Sequence, residues 1–414
     1  MRSNDFFAKG VSVIGIGRVG LPLALYLAEK RFNVYGIDID ERIVTSCKNG
    51  KIPFYEKDMR ELLEKTLNKS FFPVNDYKYV AETKVIILTI GTPVDEHLNP
   101  VFSYLEDAIK RLLPYLQNGH LLILRSTISP GTTQHLKRMI EEETGFQVGK
   151  DVYLAFCPER IAEGYSLEEL PNIPQIVGGV DEKSTSSAAE FFLKVTSKVL
   201  VSDSVSAELA KLFTNMYRYI DFAIANEFMM IAEQFDRDIY EIIDLVNRDY
   251  KRAGLKKPGF TAGPCLYKDG FFLISKTPYS ELITTSWKIH ETLPAFLIER
   301  IKSMKDIRGS KVALLGLSFK KNIDDTRNSL AYKAKKIFLL EECKVHLHDP
   351  ILKIGDLSAV LEGSDILFFA VDHDFYRERG FGYMSKLIKK DAIICDIWNI
   401  MGKGKIIFRN HEIA

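Results

Sequence analysis

The stretch GVSVIGIGRVGLPLALYLAE, residues 10–29, decides the fold of this chain. It opens with a short β-branched run and closes with apolar residues at helical spacing. Between these two parts lies a turn with Gly15, Gly17 and Gly20. A strand, a glycine-rich turn and a helix in this order are typical of the first unit of an open α/β fold.

A second strand is predicted over residues 33–37, and it ends at Asp38. An acidic residue about twenty positions after a GxGxxG turn completes the dinucleotide-binding fingerprint. The glycines allow pyrophosphate to approach the helix N-terminus, and Asp38 would accept hydrogen bonds from the adenosine ribose. Because a carboxylate repels a 2′-phosphate, the pattern favours NAD over NADP. The alternative is a purely structural glycine turn.

Further strands are predicted over residues 85–89, 121–124 and 152–156, at the spacing of alternating β and α units. Each ends in polar residues, and ligands of open α/β sheets bind beyond the carboxyl ends of the strands. Thr92, Thr127 and Glu159 are therefore expected at one crevice. For each threonine alone, a loop residue or helix cap remains the alternative.

A long helix is predicted from Asp203 to about Gln234, with Lys211 and Asn215 one turn apart on it. Lys211 has such apolar neighbours that it is expected to be partly buried and catalytic, with an ordinary solvated lysine as the alternative. A helix this long and apolar also suits a domain connector or a dimer interface.

The segment GFTAGPCLYKDG, residues 259–270, places Cys265 beside a lysine and an aspartate among glycines. It is predicted to be a loop that holds a nucleophile, because a thiol near a cation ionises more readily. The alternative is a surface turn with an incidental cysteine. The basic segment that precedes it, which includes Arg252, is either a phosphate contact or a solvated loop.

A second, smaller α/β domain is predicted after residue 305. It has Gly316 but no complete GxGxxG, so a second dinucleotide site at that turn is not expected. Lys320 and Arg327 place cations near a strand end, which suits a diphosphate.

The 414 residues carry a net charge of +1, and 46% of them are apolar. This is ordinary for a globular protein and predicts binding to neither nucleic acid nor membranes. The five cysteines are scattered and include no CxxC pair, which indicates reduced thiols and a cytoplasmic location rather than disulfides or a metal site.

Over essentially its whole length the chain resembles the UDP-glucose/GDP-mannose dehydrogenase family of NAD-dependent nucleotide-sugar 6-dehydrogenases. The motifs that carry the resemblance occur in the family's order: GIGRVGLPLA with Asp38, IGTP, RSTISPG, CPERIAEG, AELAKLFTN, GPCLYKD, LGLSFKKNIDDTR and HDP.

The resemblance implies oxidation of the sugar C6 alcohol to a carboxylate with two NAD+. Cys265 would capture the aldehyde as a thiohemiacetal, a second hydride transfer would give a thioester, and water would hydrolyse it. Lys211 and Asn215 match residues that steady the developing oxyanion. Asp269 matches the acid that helps organise the water and the lysine.

The resemblance also implies that Glu159 is the general base for hydrolysis, with Thr127 helping to place the water and the nicotinamide. The implied cofactor contacts are Gly15, Gly17, Gly20, Asp38, Arg42, Thr92, Thr127, Glu163, Lys268 and Arg327. The implied substrate contacts are Glu159, Arg160, Lys211, Asn215, Arg252, Phe260, Gly263, Phe319 and Lys320.

We therefore expect an α/β protein with two Rossmann-like parallel-sheet domains joined by a long central helix. The predicted domains are an NAD-binding domain (1–200), a central helical domain with the cysteine segment and a dimer interface (201–305), and a nucleotide-sugar-binding domain (306–414). The expected partners are a UDP-sugar and at least one further copy of the chain. A role in polysaccharide biosynthesis is implied.

The triplet PER in CPERIAEG resembles the branch that acts on UDP-N-acetylhexosamines, whereas the UDP-glucose and GDP-mannose branches more often have PEF. This favours UDP-N-acetylmannosamine or UDP-N-acetylglucosamine, with UDP-glucose or GDP-mannose as alternatives. Two features depart from the pattern. The cysteine segment has GPCLYKD rather than GGHC, and Asp396 to Asn399 stand where many members have an arginine.

Two further alternatives remain open, a one-step NAD-dependent hydroxyacid dehydrogenase and a non-catalytic NAD sensor. A one-step enzyme has no need of Cys265. A sensor has no need of Lys211, Asn215, Cys265 and Asp269 together.

Overall fold

The computed structural model describes residues 10–274 and 280–413. These residues divide into two compact units: the first comprises 10–214 and 271–274, and the second 215–270 and 280–413. The three-domain division stays a prediction.

The first unit is built on an eight-stranded sheet. Its strands are β1 (Val11–Ile14), β2 (Val34–Ile37), β3 (Phe71–Val74), β4 (Val85–Leu88), β5 (Leu121–Leu124), β6 (Tyr153–Phe156), β7 (Gln175–Gly179) and β8 (Val199–Asp203). Their order across the sheet is β3-β2-β1-β4-β5-β6-β7-β8. Neighbouring strands run parallel except β6 and β7, which are antiparallel.

Helices cover this sheet. They are α1 (Gly20–Glu29), α2 (Glu41–Lys48), α3 (Met59–Thr66), α4 (Ser103–Leu112), α5 (Thr132–Thr144), α6 (Ser166–Glu169) and α7 (Glu182–Phe192), with 3-10 helices at Tyr77–Glu82 and Leu113–Tyr115. Successive residues of β4 alternate between two hydrophobic cores: Val85 and Ile87 lie in one, and Ile86 and Leu88 in the other. Burial on both faces explains why this strand is apolar throughout.

The second unit has a five-stranded sheet in the order β10-β9-β11-β12-β13, parallel except for β13. The strands are β9 (Lys311–Leu315), β10 (Lys344–His348), β11 (Ile366–Phe369), β12 (Ile393–Cys395) and β13 (Ile407–Arg409). The remaining helices are α8 (Ser204–Gln234), α9 (Ile239–Asn247), α10 (Leu266–Ile274), α11 (Glu281–Met304), α12 (Leu330–Leu340), α13 (Leu357–Leu361), α14 (Asp374–Arg379) and α15 (Phe381–Leu387), with a 3-10 helix at Asn410–Ile413.

The predicted α/β class with two mainly parallel sheets is confirmed, and so is the long helix, which is α8. One local expectation was wrong. The cysteine segment is not a loop throughout, because α10 begins at Leu266, directly after Cys265. The residues from Leu266 onward pair their backbone groups within this helix. In the described parts of the chain, no helix combines the length and the hydropathy that a membrane span requires.

Candidate active site

The glycine turn between β1 and α1 has the geometry that its sequence predicts. Gly15 has a φ of +91°, which favours glycine, and a Cβ on Gly20 would lie 2.0 Å from the Gly15 carbonyl oxygen. A Cβ on Gly17 would have no described atom within 4 Å. Gly15 and Gly20 are therefore required by the turn itself, whereas Gly17 leaves open space beside the N-terminus of α1. This arrangement fits a dinucleotide pyrophosphate.

Asp38 lies at the carboxyl end of β2, where the fingerprint requires an acid. Its carboxylate accepts a hydrogen bond from the Asp40 backbone N–H at 2.9 Å. Burial raises the pKa of Asp38, although backbone hydrogen bonds from Asp40, Ile16 and Ile39 act in the opposite direction. The predicted cofactor residue Arg42 is exposed and donates to Asp40 at 2.8 and 3.0 Å. Asp40 in turn caps the N-terminus of α2.

Glu163 lies beside the glycine turn, because its carboxylate pairs with Arg18 of that turn at 2.6 Å. The Arg18 guanidinium also lies over the Phe54 ring, 5.1 Å from its centroid. The loop around Glu163 is held by Glu56, which accepts the backbone N–H groups of Gly164 and Ser166 at 2.9 Å each. Nothing in its local sequence singled out Glu56.

Glu159 is buried at the end of β6, and its charge partner is Arg125, which follows β5. Burial alone would raise the pKa of Glu159, but the charge and hydrogen bonds of Arg125 and the backbone N–H groups of Ile161 and Arg160 lower it overall. The Arg160 side chain donates instead to the Pro174 carbonyl oxygen. Arg125 was missed, although an arginine directly after an apolar buried strand requires a carboxylate or another acceptor.

Thr92 and Thr127 are brought together in the first unit, as the strand-end argument predicts. The Thr92 hydroxyl donates to the Thr127 carbonyl oxygen at 2.6 Å, and Thr92 is buried. This contact fixes the loop after β4 against the loop after β5. The adjacent Ser126 hydroxyl is buried and has no hydrogen-bond partner among the described residues.

Lys211 and Asn215 are both buried on α8, at 9% and 6% exposure. Burial of Lys211 agrees with the predicted departure from an ordinary solvated lysine. One turn before Lys211, the fully buried Glu208 accepts the backbone N–H groups of Gly131 and Thr133 at 2.6 and 2.8 Å. Glu208 thereby fastens the start of α8 to the N-terminus of α5, a role that the sequence did not reveal.

Cys265 is exposed, whereas the other four cysteines are buried. It lies at the N-terminal end of α10, where its carbonyl oxygen accepts the Asp269 and Lys268 backbone N–H groups at 3.1 and 3.2 Å. The N-terminal end of a helix carries a partial positive charge, which stabilises a thiolate. This position suits a nucleophile better than a flexible loop does.

Asp269 is fully buried one turn after Cys265. Its Oδ2 accepts a hydrogen bond from the Asn215 side-chain amide at 2.6 Å, so the structure brings two predicted catalytic residues together. The Lys268 Nζ lies 3.8 Å from Asp269 Oδ1. That oxygen accepts no hydrogen bond from the described residues, which leaves it available as an acceptor.

Among the predicted substrate residues, Gly263 and Phe319 lie in contact. Gly263 has a φ of +99°, and a Cβ there would lie 2.5 Å from the Phe319 ring. Phe260 is buried in the core, with its ring 6.0 Å from that of Phe368. Arg252 lies over the Tyr250 ring at 5.0 Å.

Phe319, Lys320 and Arg327 follow β9 in one connected turn. The Phe319 N–H donates to the Asp325 carbonyl oxygen at 2.9 Å, and the Ser318 hydroxyl donates to the Lys320 carbonyl oxygen at 2.7 Å. The Arg327 Nε donates to both Asp325 carboxylate oxygens at 2.9 and 3.0 Å. The two predicted cations therefore share one loop of the second unit.

Three profiles of one family match consecutive parts of the chain. They are described as the NAD binding domain at residues 9–196, the central domain at 205–292 and the UDP binding domain at 313–403 of the UDP-glucose/GDP-mannose dehydrogenase family. The chain belongs to the UDP-glucose/GDP-mannose dehydrogenase family. It is therefore an NAD-dependent nucleotide-sugar dehydrogenase, and the fingerprint around Gly15 and Asp38 lies in its NAD-binding domain.

Individual relatives of this dehydrogenase support the assignment. A UDP-N-acetyl-D-mannosamine dehydrogenase of Methanocaldococcus jannaschii is 35% identical over 95% of this chain and 93% of its own length. An NDP-N-acetyl-D-galactosaminuronic acid dehydrogenase of Ralstonia nicotianae is 29% identical over 91% of this chain and 94% of its own. The solved structure of a UDP-D-ManNAc dehydrogenase from Pyrococcus horikoshii superposes with a TM-score of 0.86 at 30% identity, and covers 92% of this chain and 93% of that one.

Proposed function

We propose that this dehydrogenase oxidises the C6 alcohol of a nucleotide sugar to the carboxylate in two steps, with Cys265 as the covalent nucleophile. The observation that carries the proposal is the position of Cys265. It is exposed at the N-terminal end of α10, and the buried Asp269, held by Asn215, lies one turn further along.

The proposed reaction consumes one alcohol, two NAD+ and one water, and gives one carboxylate, two NADH and three protons. NAD+ accepts the hydride in both oxidations. The first oxidation gives the aldehyde, and the Cys265 thiolate adds to its carbonyl carbon to form a thiohemiacetal. The second oxidation gives a thioester, and water displaces the thiolate to release the carboxylate. Covalent capture keeps the aldehyde bound between the two oxidations.

The remaining roles follow from charge and hydrogen-bonding capacity. The ammonium of Lys211 and the amide of Asn215 donate to the oxyanion that develops on the sugar C6 oxygen. Asp269 orients the Asn215 amide and offers its second oxygen to water or to a lysine. Thr127 helps to place the water and the nicotinamide.

Glu159 is proposed as the general base of thioester hydrolysis. Arg125 lowers the pKa of its carboxyl, so Glu159 is ionised at neutral pH and has a free lone pair for a proton. The same pairing makes Glu159 a weaker base than an isolated carboxylate. Hydrolysis is therefore expected to be the step most sensitive to changes at Arg125.

The proposed substrate is a UDP-N-acetylhexosamine, either UDP-N-acetylmannosamine or UDP-N-acetylglucosamine. Relatives named UDP-N-acetyl-D-mannosamine dehydrogenase support the first, and the PER triplet at residues 158–160 supports the class. The C-terminal domain would bind the UDP moiety through the loop with Phe319, Lys320 and Arg327. The alternatives are UDP-glucose and GDP-mannose.

The deciding experiment measures NADH formed per nucleotide sugar consumed, with each of these four compounds supplied in limiting amount. Two NADH per sugar and a uronate product are expected with a UDP-N-acetylhexosamine, since the covalent route transfers two hydrides. One NADH with release of an aldehyde or ketone would instead indicate a one-step dehydrogenase. Binding of NAD without turnover of any nucleotide sugar would favour a sensor.

We also propose that the chain forms a homodimer through the exposed face of α8 in the second unit. Four residues of α8 and Phe235, which directly follows it, are exposed at helical spacing: Tyr217 (70%), Ile224, Phe228, Ile231 and Phe235 (69%). One face of a helix with this spacing suits packing against the same face of a second copy about a twofold axis.

A surface cavity continues this apolar face and supports the same proposal. It has a volume of about 430 Å³ and is lined mainly by apolar side chains of α8 and α9, together with Leu255. Phe228, Ile231 and Phe235 border both the helix face and the cavity. A second copy that covers the face would bury this cavity as well.

The reduced thiol that the proposed chemistry needs also agrees with a cytoplasmic location.

A further inference from the structure

The side chain of Asn226 in α8 binds the backbone of the cysteine segment at Gly259, on the N-terminal side of Cys265. The side chain of Asn226 is fully buried, and its Oδ1 accepts the Gly259 N–H at 2.9 Å. Its Nδ2 donates to the Gly259 carbonyl oxygen at 3.0 Å. One side-chain amide thus satisfies both backbone groups of a single residue.

A buried histidine fixes the orientation of that amide. The His290 Nε2 lies 2.9 Å from the Tyr219 carbonyl oxygen, which only accepts, so Nε2 carries the proton. The His290 Nδ1 is then an acceptor, and it lies 3.2 Å from Asn226 Nδ2. Burial lowers the pKa of His290 to about 4, which keeps this tautomer neutral near pH 7. If the Asn226 amide were reversed, its oxygen would face His290 Nδ1, and two acceptors would meet without a donor.

The two asparagines of α8 hold the cysteine segment on either side of the nucleophile. Asn215 and Asn226 lie about three turns apart on one face of the helix, roughly 16 Å along its axis. Asn215 binds Asp269 after Cys265, and Asn226 binds Gly259 before it. Because both asparagines belong to α8, the helix sets the spacing between the two points at which the segment is bound.

Gly259 has little room to move toward Trp398, because an indole ring lies against it. A Cβ on Gly259 would lie 2.2 Å from the Trp398 ring. The backbone of Gly259 is therefore bound by the Asn226 amide, and the Trp398 ring occupies the space beside its Cα.

We propose that Asn226, oriented by His290, is a positioning residue that holds Cys265 where the aldehyde forms. The inference rests on the proposed nucleophilic role of Cys265. Addition of sulfur to a carbonyl carbon requires an approach of about 3–3.5 Å before the bond forms. If Gly259 is released, the thiol moves relative to the aldehyde, and the aldehyde escapes before it is captured.

The test compares NADH per sugar in the wild-type enzyme, Asn226→Ala and Asn226→Ser, with semicarbazide present to trap released aldehyde. The expected ratio is two for the wild type. It falls toward one in both variants, with trapped aldehyde making up the difference, and kcat for uronate formation falls about tenfold or more, in line with a misplaced catalytic group. The KM for NAD+ is expected to change less than threefold.

Asn410→Ala is the matched control. Asn410 is a buried asparagine of the same unit, and it also binds backbone carbonyls, those of Ser385 and Lys389. A variant that only loses stability has fewer active molecules, but each active molecule still forms two NADH for every nucleotide sugar that it consumes. Asn410→Ala is therefore expected to keep a ratio of two at any loss of rate.

The outcomes separate the inference from the proposed function. A wild-type ratio of one overturns the covalent route itself, and the role of Asn226 falls with it. A wild-type ratio of two that persists in both Asn226 variants overturns the inference and leaves the proposed function standing. Should Asn226→Ala not fold, the decision comes from Asn226→Ser, whose hydroxyl is too short to bind both Gly259 groups.

Discussion

At the scale of single residues, the proposed chemistry of this dehydrogenase depends on which polar side chains are buried and which are exposed. Asp269 is fully buried, and one of its oxygens is bound by Asn215. Cys265, a few positions earlier, is exposed. In the proposed mechanism, the buried acid orients the site and the exposed thiol reacts with the aldehyde.

The replacement Cys265→Ser is expected to abolish uronate formation, with a loss of at least about a hundredfold, because a serine hydroxyl is a far weaker nucleophile than a thiolate. Binding of NAD and of the nucleotide sugar is expected to persist, and both are measured by calorimetry. Cys343→Ser is the control, since a hydroxyl can keep the hydrogen bond of that buried thiol to the Ile307 carbonyl oxygen. Uronate formation by Cys265→Ser at the wild-type rate would exclude the covalent role.

His290 makes the stability of the second unit depend on pH. Its folded-state pKa is lowered from 6.5 to about 4 by burial, so between these values the unfolded chain binds a proton that the folded chain does not. The contribution of His290 to the free energy of unfolding is therefore largest above pH 6.5. As pH falls toward 4, this contribution is lost, up to about 3 kcal/mol in total.

Urea unfolding of wild type and His290→Gln between pH 4.5 and 7.5 checks this prediction. Glutamine does not titrate, so the variant is expected to lose less stability on acidification than the wild type. The exposed His411 supplies the control variant, His411→Gln, whose slope should match that of the wild type. Parallel slopes for wild type and His290→Gln would contradict the assignment.

At the scale of elements, the three glycines of the turn before α1 have different roles. Gly15 adopts a positive φ, and Gly20 packs against the Gly15 carbonyl oxygen. Gly17 meets no described atom within 4 Å. Gly15 and Gly20 shape the strand–helix junction, whereas Gly17 keeps the backbone accessible to a ligand.

The variants Gly17→Ala and Gly20→Ala are therefore expected to differ. Gly20→Ala places a Cβ 2.0 Å from backbone oxygen, so it should destabilise the first unit by about 1–3 kcal/mol. Gly17→Ala should fold with nearly wild-type stability and yet bind NAD at least about tenfold more weakly, because a methyl group occupies the pyrophosphate approach. Thermal unfolding with and without NAD measures both effects. Equal stability losses in the two variants would contradict this division of roles.

At the scale of the whole molecule, the apolar face of α8 defined by Tyr217, Ile224, Phe228, Ile231 and Phe235 is expected to determine assembly. An exposed apolar face of this kind is uncommon on a monomer. None of these five side chains belongs to the four hydrophobic cores of the described residues.

Sedimentation is expected to give a dimer at micromolar concentration for the wild type and a monomer for Phe228→Asp, since a buried unpaired charge opposes association. Leu340→Asp is the control, because Leu340 is 82% exposed on α12 and lies outside the face. A monomeric wild type at that concentration would remove the proposal. So would a dimer that persists in Phe228→Asp.

The sequence by itself determined the features that depend on local order. Short stretches of sequence predict the glycine turn, Asp38, the apolar strands and the long helix, because glycine conformation and side-chain periodicity act over a few residues. The set Lys211, Asn215, Cys265 and Asp269 was likewise predicted from spacing and family motifs. These patterns sufficed for the α/β class, the cofactor and the kind of reaction.

Only the tertiary structure decided which side chains meet across long separations in sequence. Arg125 forms an ion pair with Glu159, and Glu208 caps α5. Asn226 forms hydrogen bonds with the Gly259 backbone. None of these partners has a local signature, because a buried polar group is satisfied by whatever the fold brings to it. The start of α10 at Leu266 was missed for a related reason: the glycines around Cys265 predict a loop, and only the pairing of backbone groups within α10 places the thiol at a helix N-terminus.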